Sequence, residues 1–331
     1  MSPFKVVVTD YEYSTFAPEE AVLDKLGIKL TFEQCKTEED VIAACKDADA
    51  LINQYAPITR KVIEQLDNCK VISRYGVGFN TIDVDAATEK GIIVGNVTDY
   101  CLDEVSNHAM ALLLSLARKV TLLNSSVKNG NWDFKVAVPI HRLQGQTLGL
   151  VGFGNIPQTV ARKARAFDLN VIAYDPFVSP QVAAAQGVEL VTLEELCKRS
   201  DYLSVHVPLN AQTEGMISRI EFAMMKEEAY IINTARGPII DEQALIEALQ
   251  AGAIAGAGLD VLETEPIAAD NPLLSMDNVI LNPHSAFYSV EAETELKRKT
   301  AENVADVLSG YYPTYLVNKT VKDKVLLKDK L

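Results

Sequence analysis

Long hydrophobic runs are missing from this 331-residue sequence, in which no apolar stretch approaches the ~20 residues that a helix needs to cross a bilayer. Repeats with a period of about 20 to 50 residues and low-complexity segments are missing too. At the N-terminus, MSPFKVVVTD has only a short apolar stretch before Asp10, so we interpret it as a buried strand and not as a signal peptide. These absences favour an ordinary globular protein.

Cysteine and histidine are scarce. The five cysteines are scattered and show no CxxC spacing, which favours reduced thiols in a cytoplasmic protein: Cys35, Cys45, Cys69, Cys101 and Cys197. The four histidines form no HxxH or HxxxH pair, so we expect no metal site. Two of them, His108 and His206, fall on a predicted buried helix and strand, and we interpret both as structural.

Positive charge is in deficit, since 31 Lys and Arg stand against 45 Asp and Glu and leave a net charge of −14. Such a surface repels nucleic acid and anionic lipid, so we expect neither nucleic acid nor a membrane as partner. An anionic substrate would need local positive charge in its site. The segment 318–331 is the exception, with five Lys against two Asp, and we expect it to be a solvated tail.

Short apolar segments alternate with helical patterns throughout, which predicts an α/β fold with parallel sheets. At ~150 residues per domain, the length suggests two domains. One helical pattern is long: Asp103 is its expected cap, and it continues to about Lys128 before Gly130. We expect strands at residues 5–8, 50–53, 71–73, 92–95, 147–151, 170–174, 203–207, 229–233, 256–259 and 279–281. We expect further helices at residues 18–26, 156–167, 193–198, 242–250 and 289–308.

A glycine pair predicts a dinucleotide site. Gly152 and Gly154 follow a predicted strand and precede a helix, the context in which backbone amides, here those of Asn155 and Ile156, receive a pyrophosphate. Asp175 comes 23 residues after Gly152, where a carboxylate binds ribose hydroxyls and repels a 2′-phosphate, so we expect NAD as the cofactor. The third glycine of the GxGxxG pattern is replaced by Pro157, which a first helical turn tolerates.

Three further segments follow strands of the second series and carry Arg236, Glu265 and His284. The carboxyl ends of parallel strands meet at one edge of a sheet, so these side chains can converge. Arg binds a carboxylate bidentately, and His gives or takes one proton near neutral pH. A neighbouring Glu stabilises the imidazolium and fixes its tautomer.

These segments make the sequence similar to the D-isomer-specific 2-hydroxyacid dehydrogenases, including phosphoglycerate-dehydrogenase-like members and C-terminal-binding-protein corepressors. The resemblance covers nearly the whole chain and rests on RYGVGFNTID at 74–83, GFGNI at 152–156, INTARG at 232–237, GLDV at 258–261, ETEP at 263–266 and NPHSA at 282–286. It implies a flavodoxin-like substrate-binding domain, residues 1–102 plus 287–331. A Rossmann NAD-binding domain, residues 103–286, would be inserted into it. It also implies a homodimer built on the NAD domain, which suits the apolar long helix and the segment around Trp132.

The resemblance also implies site residues. Arg236 would bind the substrate carboxylate and polarise the carbonyl, His284 would protonate the carbonyl oxygen, and Glu265 would hold His284. Asp260 would face the nicotinamide carboxamide. The remaining positions are cofactor contacts at Val207, Pro208, Thr213, Thr234 and Ala235, and substrate contacts at Val77, Gly78, Tyr55 and Arg74.

The expected activity is NADH-dependent interconversion of a 2-oxoacid and a D-2-hydroxyacid. Two alternatives stay open. One is an NADH-sensing interaction protein similar to the corepressors, against which the lack of long tails argues. The other is a phosphoglycerate dehydrogenase proper; we expect no regulatory domain beyond the family core, although Arg74 would suit a phosphorylated substrate. Which 2-oxoacid is used stays open as well.

Overall fold

A computed structural model describes residues 4–330. The chain folds as two compact units. The first unit contains Met1–Tyr100 and Ser289–Leu331, and the second contains Cys101–Tyr288. In sequence, the second unit is inserted between the two segments of the first. Each observed boundary lies two residues from the expected one.

The first unit is built on a five-stranded sheet in the order β2-β1-β3-β4-β5, in which neighbouring strands are parallel. This is the flavodoxin-like strand order. Its strands are β1 (Val6–Val8), β2 (Leu30–Phe32), β3 (Ala50–Asn53), β4 (Val71–Arg74) and β5 (Ile93–Gly95). Its helices are α1 (Ala17–Leu23), α2 (Glu38–Cys45), α3 (Arg60–Gln65), α4 (Val84–Lys90) and α12 (Val290–Leu308).

The second unit is built on a seven-stranded parallel sheet in the order β12-β11-β10-β9-β6-β7-β8. The order reverses between β6 and β9, as in a Rossmann fold. Its strands are β6 (Thr147–Val151), β7 (Asn170–Tyr174), β8 (Glu189–Leu190), β9 (Tyr202–Val205), β10 (Tyr230–Asn233), β11 (Gly256–Leu259) and β12 (Val279–Leu281). Its helices are α5 (Leu102–Arg118), α6 (Val120–Lys128), α7 (Asn155–Arg165), α8 (Pro180–Ala185), α9 (Leu193–Arg199), α10 (Arg219–Met224) and α11 (Glu242–Gln250).

Two buried apolar clusters cover this second sheet. One cluster draws on α5, α7 and α8, and the other on α9, α10 and α11. Successive strand residues alternate between them: Leu150 belongs to the first cluster and Val151 to the second. The predicted α/β fold with two parallel sheets is confirmed.

The predicted single helix from Asp103 to Lys128 is wrong, because α5 and α6 are separate helices. Lys119 joins them with a left-handed backbone, φ +49°, and the two axes differ by 62°. Asp103 is not the cap: α5 begins at Leu102, and the Asp103 carboxylate binds Lys163 Nζ at 2.6 Å. Among residues 4–330, no single helix is long and apolar enough to cross a membrane; the bent pair α5–α6 meets that length and composition only when joined.

Close packing brings α5 onto β11. A Cβ on Gly258 would lie 3.1 Å from Leu112 Cβ and 3.1 Å from Leu116 Cδ1, so the glycine permits this approach. As a result, α5 lies next to the carboxyl end of β11.

The C-terminal tail is solvated but not loose. Lys328 O accepts a hydrogen bond from Tyr312 N at 2.9 Å, and Lys324 Nζ donates to Glu89 O at 2.9 Å. Val321 is buried against the first unit. All five Lys of the segment are exposed, as expected of a solvated tail, although these contacts hold the segment against the rest of the unit.

Candidate active site

Arg236 leaves the carboxyl end of β10 through a tight turn. Asn233 Oδ1 accepts from Ala235 N at 2.9 Å, and Asn233 Nδ2 donates to Arg236 O at 2.9 Å. Side-chain hydrogen bonds from an Asn to nearby backbone groups fix the conformation of a loop that has no helix or strand. The guanidinium, half-buried, donates to Ala235 O at 2.6 Å.

The next residue, Gly237, brings this loop against the loop that follows β11. A Cβ on Gly237 would lie 1.9 Å from the carbonyl of Leu262 and 2.5 Å from Glu263 N. Any other residue would therefore separate the two backbones. The absence of a side chain at Gly237 thus sets the approach of the Arg236 loop to the Glu265 loop.

Glu265 and His284 form the predicted pair. Glu265 Oε2 lies 2.7 Å from His284 Nδ1, and Glu265 Oε1 accepts from Leu262 N at 3.0 Å. Burial acts to raise the pKa of Glu265. The hydrogen bonds from His284 and Leu262 outweigh it, together with the charges of His284 and Arg236, so that the pKa is lowered. The carboxylate therefore stays ionised beside the imidazole, whose side chain is 35% exposed.

The loop that carries His284 is fixed by Asp260. Asp260 is 1% exposed, and its carboxylate accepts from Ser285 N and Ala286 N, each at 2.9 Å. The backbone of His284 adds a third bond, from its N to Asp260 O at 2.8 Å. His284 adopts a left-handed φ of +53°, a conformation that costs about 1–2 kcal/mol for a residue with a Cβ and that surrounding contacts must hold.

The glycine turn after β6 fits a phosphate. Gly152 has φ +96°, and a Cβ there would lie 3.2 Å from the backbone of His206, so only glycine suits this position. Gly154 caps α7, and a Cβ there would meet no atom within 4 Å, so the space before the helix is open. The amides of Asn155 and Ile156 begin the helix and lack intrahelical acceptors. Pro157 is buried in the first turn of α7.

Asp175 follows β7 beside this turn. Its Oδ2 accepts from Phe153 N at 2.8 Å, and its Oδ1 accepts from Phe177 N at 2.8 Å. The predicted ribose-binding carboxylate is thus also an anchor of the glycine turn, a role that the spacing did not indicate.

The neighbouring strand ends carry the other predicted cofactor residues. Val207 lies beside Gly152, and Thr213 Oγ1 donates to Pro208 O at 2.6 Å, which closes the loop after β9. Thr234 Oγ1 is buried yet has no hydrogen-bond partner within the described part of the chain. Its neighbour Ala235 is half-buried in the turn described above. An orphaned hydroxyl and an open glycine cap are what a polar ligand would satisfy, so the residues present fit a dinucleotide.

The predicted substrate contacts lie on the first unit, after β3 and β4. Asn96 Nδ2 donates to Val77 O at 2.7 Å, which holds the loop that continues into Gly78. The Arg74 guanidinium lies over Gly76, where a Cβ would be only 2.0 Å from its Nη1. Tyr55 is 49% exposed, and its backbone N donates to the buried Asp10 carboxylate at 2.5 Å.

Comparison with known proteins identifies the second unit. Residues 110–286 match the model of the D-isomer specific 2-hydroxyacid dehydrogenase, NAD binding domain, which confirms the predicted cofactor. The chain is similar to D-3-phosphoglycerate dehydrogenase of Methanocaldococcus jannaschii, 46% identical over 284 residues, 85% of this chain and 54% of that protein. The chain thus spans about half the length of that relative.

The similarity to two other proteins covers most of their length. Glyoxylate reductase of Korarchaeum cryptofilum is 40% identical over 287 residues, 85% of this chain and 86% of that protein. The structure of D-lactate dehydrogenase from Aquifex aeolicus, complexed with NAD and lactic acid, is 30% identical with a TM-score of 0.84, and covers 92% of this chain and 96% of that one.

The two glycines of the turn predict opposite phenotypes. Gly154→Val fills open space, so we expect thermal stability to change little while NADH affinity falls at least about tenfold, or ~1.4 kcal/mol. Gly152→Ala forces a side chain into a left-handed backbone and should lower stability by about 1–2 kcal/mol. Thermal unfolding and NADH fluorescence titration measure both. Unchanged NADH affinity in a folded Gly154→Val variant would contradict this account of the turn.

His206 predicts a pH dependence of stability. Desolvation lowers the pKa of His206 from 6.5 to about 3. Between these values the unfolded chain binds a proton that the folded chain does not, so the free energy of unfolding falls as the pH falls. Replacement by Gln removes this contribution.

We therefore expect His206→Gln to lose less stability than the wild type between about pH 7 and pH 4.5, measured by urea unfolding across this range. The exposed His141, changed to Gln, is the control and should follow the wild type. Parallel curves for wild type and His206→Gln would refute the prediction.

Proposed function

The chain belongs to the D-isomer-specific 2-hydroxyacid dehydrogenases, and from that membership and its site we propose that it reduces a 2-oxoacid to a D-2-hydroxyacid with NADH, reversibly. The observation that carries the proposal is the 2.7 Å pair of Glu265 and His284 in a unit of the NAD-binding family, with Arg236 near enough to lower the pKa of Glu265. The pair supplies one proton and Arg236 one fixed positive charge, which is what carbonyl reduction requires.

The geometry supports a proposed role for each group. Glu265 occupies Nδ1 of His284, so Nε2 is the nitrogen left to protonate the substrate oxygen. Arg236 binds the substrate carboxylate and stabilises the negative charge that develops on the carbonyl oxygen. NADH, when bound, supplies the hydride that C2 accepts. In the reverse direction His284 takes the hydroxyl proton, and Glu265 stabilises the imidazolium that results.

The proposal extends to the cofactor and substrate residues. Asn155, Ile156 and the glycine turn receive the pyrophosphate, and Asp175 binds the ribose hydroxyls, which favours NADH over NADPH. We propose Val77 and Gly78 as amide donors to the substrate carboxylate. The remaining assignments are Val207, Pro208, Thr213, Thr234, Ala235 and Asp260 for the cofactor, and Tyr55 and Arg74 for the substrate.

Substrates are best sought among small 2-oxoacids. Relatives are named for glyoxylate, hydroxypyruvate and D-3-phosphoglycerate. A panel of glyoxylate, hydroxypyruvate and pyruvate, with D-3-phosphoglycerate in the oxidative direction, separates these candidates. The scattered cysteines, none in a CxxC spacing, support a reducing, cytoplasmic compartment, which cell fractionation tests.

Substitutions in the trio test the mechanism. We expect Arg236→Gln and His284→Gln each to lower turnover about 100-fold or more, because each removes a group that acts on the reacting carbonyl. Glu265→Gln should lose less, since an amide still accepts from Nδ1–H but carries no charge. NADH oxidation measures all three, with His141→Gln as the matched control. Undiminished turnover in Arg236→Gln or His284→Gln would refute the assignment.

We also propose that the protein is a homodimer through the second unit. Three large apolar side chains after α6 are strongly exposed: Trp132 at 89%, Phe134 at 72% and Val138 at 61%. Exposed apolar side chains this close together are typical of an interface.

Sedimentation equilibrium tests the homodimer. The wild type should sediment as a dimer, and Trp132→Ser with Phe134→Ser should shift it towards monomer. Exposed Phe177, on the same unit but away from this segment in sequence, supplies the control Phe177→Ser. A monomeric wild type would overturn the proposal.

A further inference from the structure

We propose that His108 is a positioning residue: its imidazole Nε2–H faces the Asp260 carboxylate and keeps it under the His284 loop. The inference rests on the proposed function, since it takes His284 as the acid–base residue. Sequence reasoning interpreted His108 as merely structural.

The contact is direct. His108 lies on α5 with its side chain 23% exposed, and its Nε2 is 3.5 Å from Asp260 Oδ1. This nitrogen is buried and has no hydrogen-bond partner among residues 4–330. A carboxylate only accepts, so a favourable contact requires the proton to be on Nε2.

The buried Asp260 carboxylate depends on a small set of donors. It is 1% exposed, and its hydrogen bonds come from the neutral groups of Ser285 and Ala286. In the described ranges, His108 is the only basic side chain within ion-pair distance of it. Removing a donor that faces a buried acceptor leaves that acceptor less satisfied, which costs free energy.

The fold places His108 there through Gly258. The bare Cα of Gly258 lets Leu112 approach, and His108 precedes Leu112 by one helical turn. Asp260 follows Gly258 by two residues. The same close packing therefore brings the imidazole to the carboxylate.

Loss of the His108 contact would disturb the backbone of His284. Without this donor, the carboxylate rotates or recruits water, and its hydrogen bonds from Ser285 N and Ala286 N weaken. His284, at φ +53°, then loses the contacts that hold its backbone. Small displacements of a proton donor are costly in rate.

The experiment compares three substitutions in the full chain. His108→Leu removes the donor, and His108→Asn keeps polarity but is too short to reach Asp260. His108→Gln retains an N–H donor at a similar distance. We expect kcat to fall about tenfold or more in the first two variants and to be largely restored in the third. Equal kcat in all four proteins would overturn the proposal.

A second measurement does not depend on turnover. Because the chain has only four histidines, ¹⁵N-histidine NMR resolves each imidazole once single His→Gln variants assign the signals. His108→Leu and His108→Asn should shift or broaden the His284 signals and leave those of His141 unchanged. His284 signals identical to wild type in both would refute the role of His108. An enzyme inactive on every 2-oxoacid whose His284 signals still respond would instead refute the proposed function alone.

Discussion

The buried carboxylate of Asp260 is the group on which the loop that carries His284 depends. It receives two backbone amides of the loop, and its own carbonyl receives the amide of His284. Three bonds to one residue are enough to hold His284 in a left-handed backbone that a residue with a Cβ otherwise avoids. The imidazole is then presented to Glu265 from a rigid support, which is what positioning a proton donor requires.

Two glycines make this arrangement possible because they have no Cβ where two segments approach closely. At Gly237 the Arg236 loop packs against the backbone of the Glu265 loop, and at Gly258 helix α5 packs closely on β11. A side chain at either position would move one functional group away from the others. The site is thus assembled by backbone approach as much as by its reactive side chains, and parallel strands deliver all the segments to one edge of the sheet.

Continuous apolar strands and well-capped helices were predictable from sequence. The bounds of β6, β7, β11 and α11 agree with the expected ranges, because buried parallel strands are nearly uniform in hydropathy and Asp241 caps α11. The edge strand β2 has three residues and half-exposed side chains, so it carries no comparable signal. The break at Lys119 has no Gly or Pro to mark it, and it was therefore missed.

Some features of the candidate site were likewise predictable from the sequence, and others were not. Its glycines, acids, Arg236 and His284 were predictable because each occupies a motif with a fixed spacing. What Asp260 and Asp175 do for the loops was not predictable, because their partners are backbone amides that every residue carries. The approach of His108 to Asp260 depends on how α5 packs, and no local pattern encodes a contact between segments so far apart in the sequence.

The central claim is hydride transfer to C2 of a 2-oxoacid with one proton from the protein. The most direct measurement supplies NADH deuterated at the transferable C4 position, with the best substrate of the panel, and analyses the product. We expect the 2-hydroxyacid product to carry one deuterium at C2, measured by mass spectrometry, and to have the D configuration, measured by chiral chromatography. An L product, or a product without deuterium at C2, would contradict it.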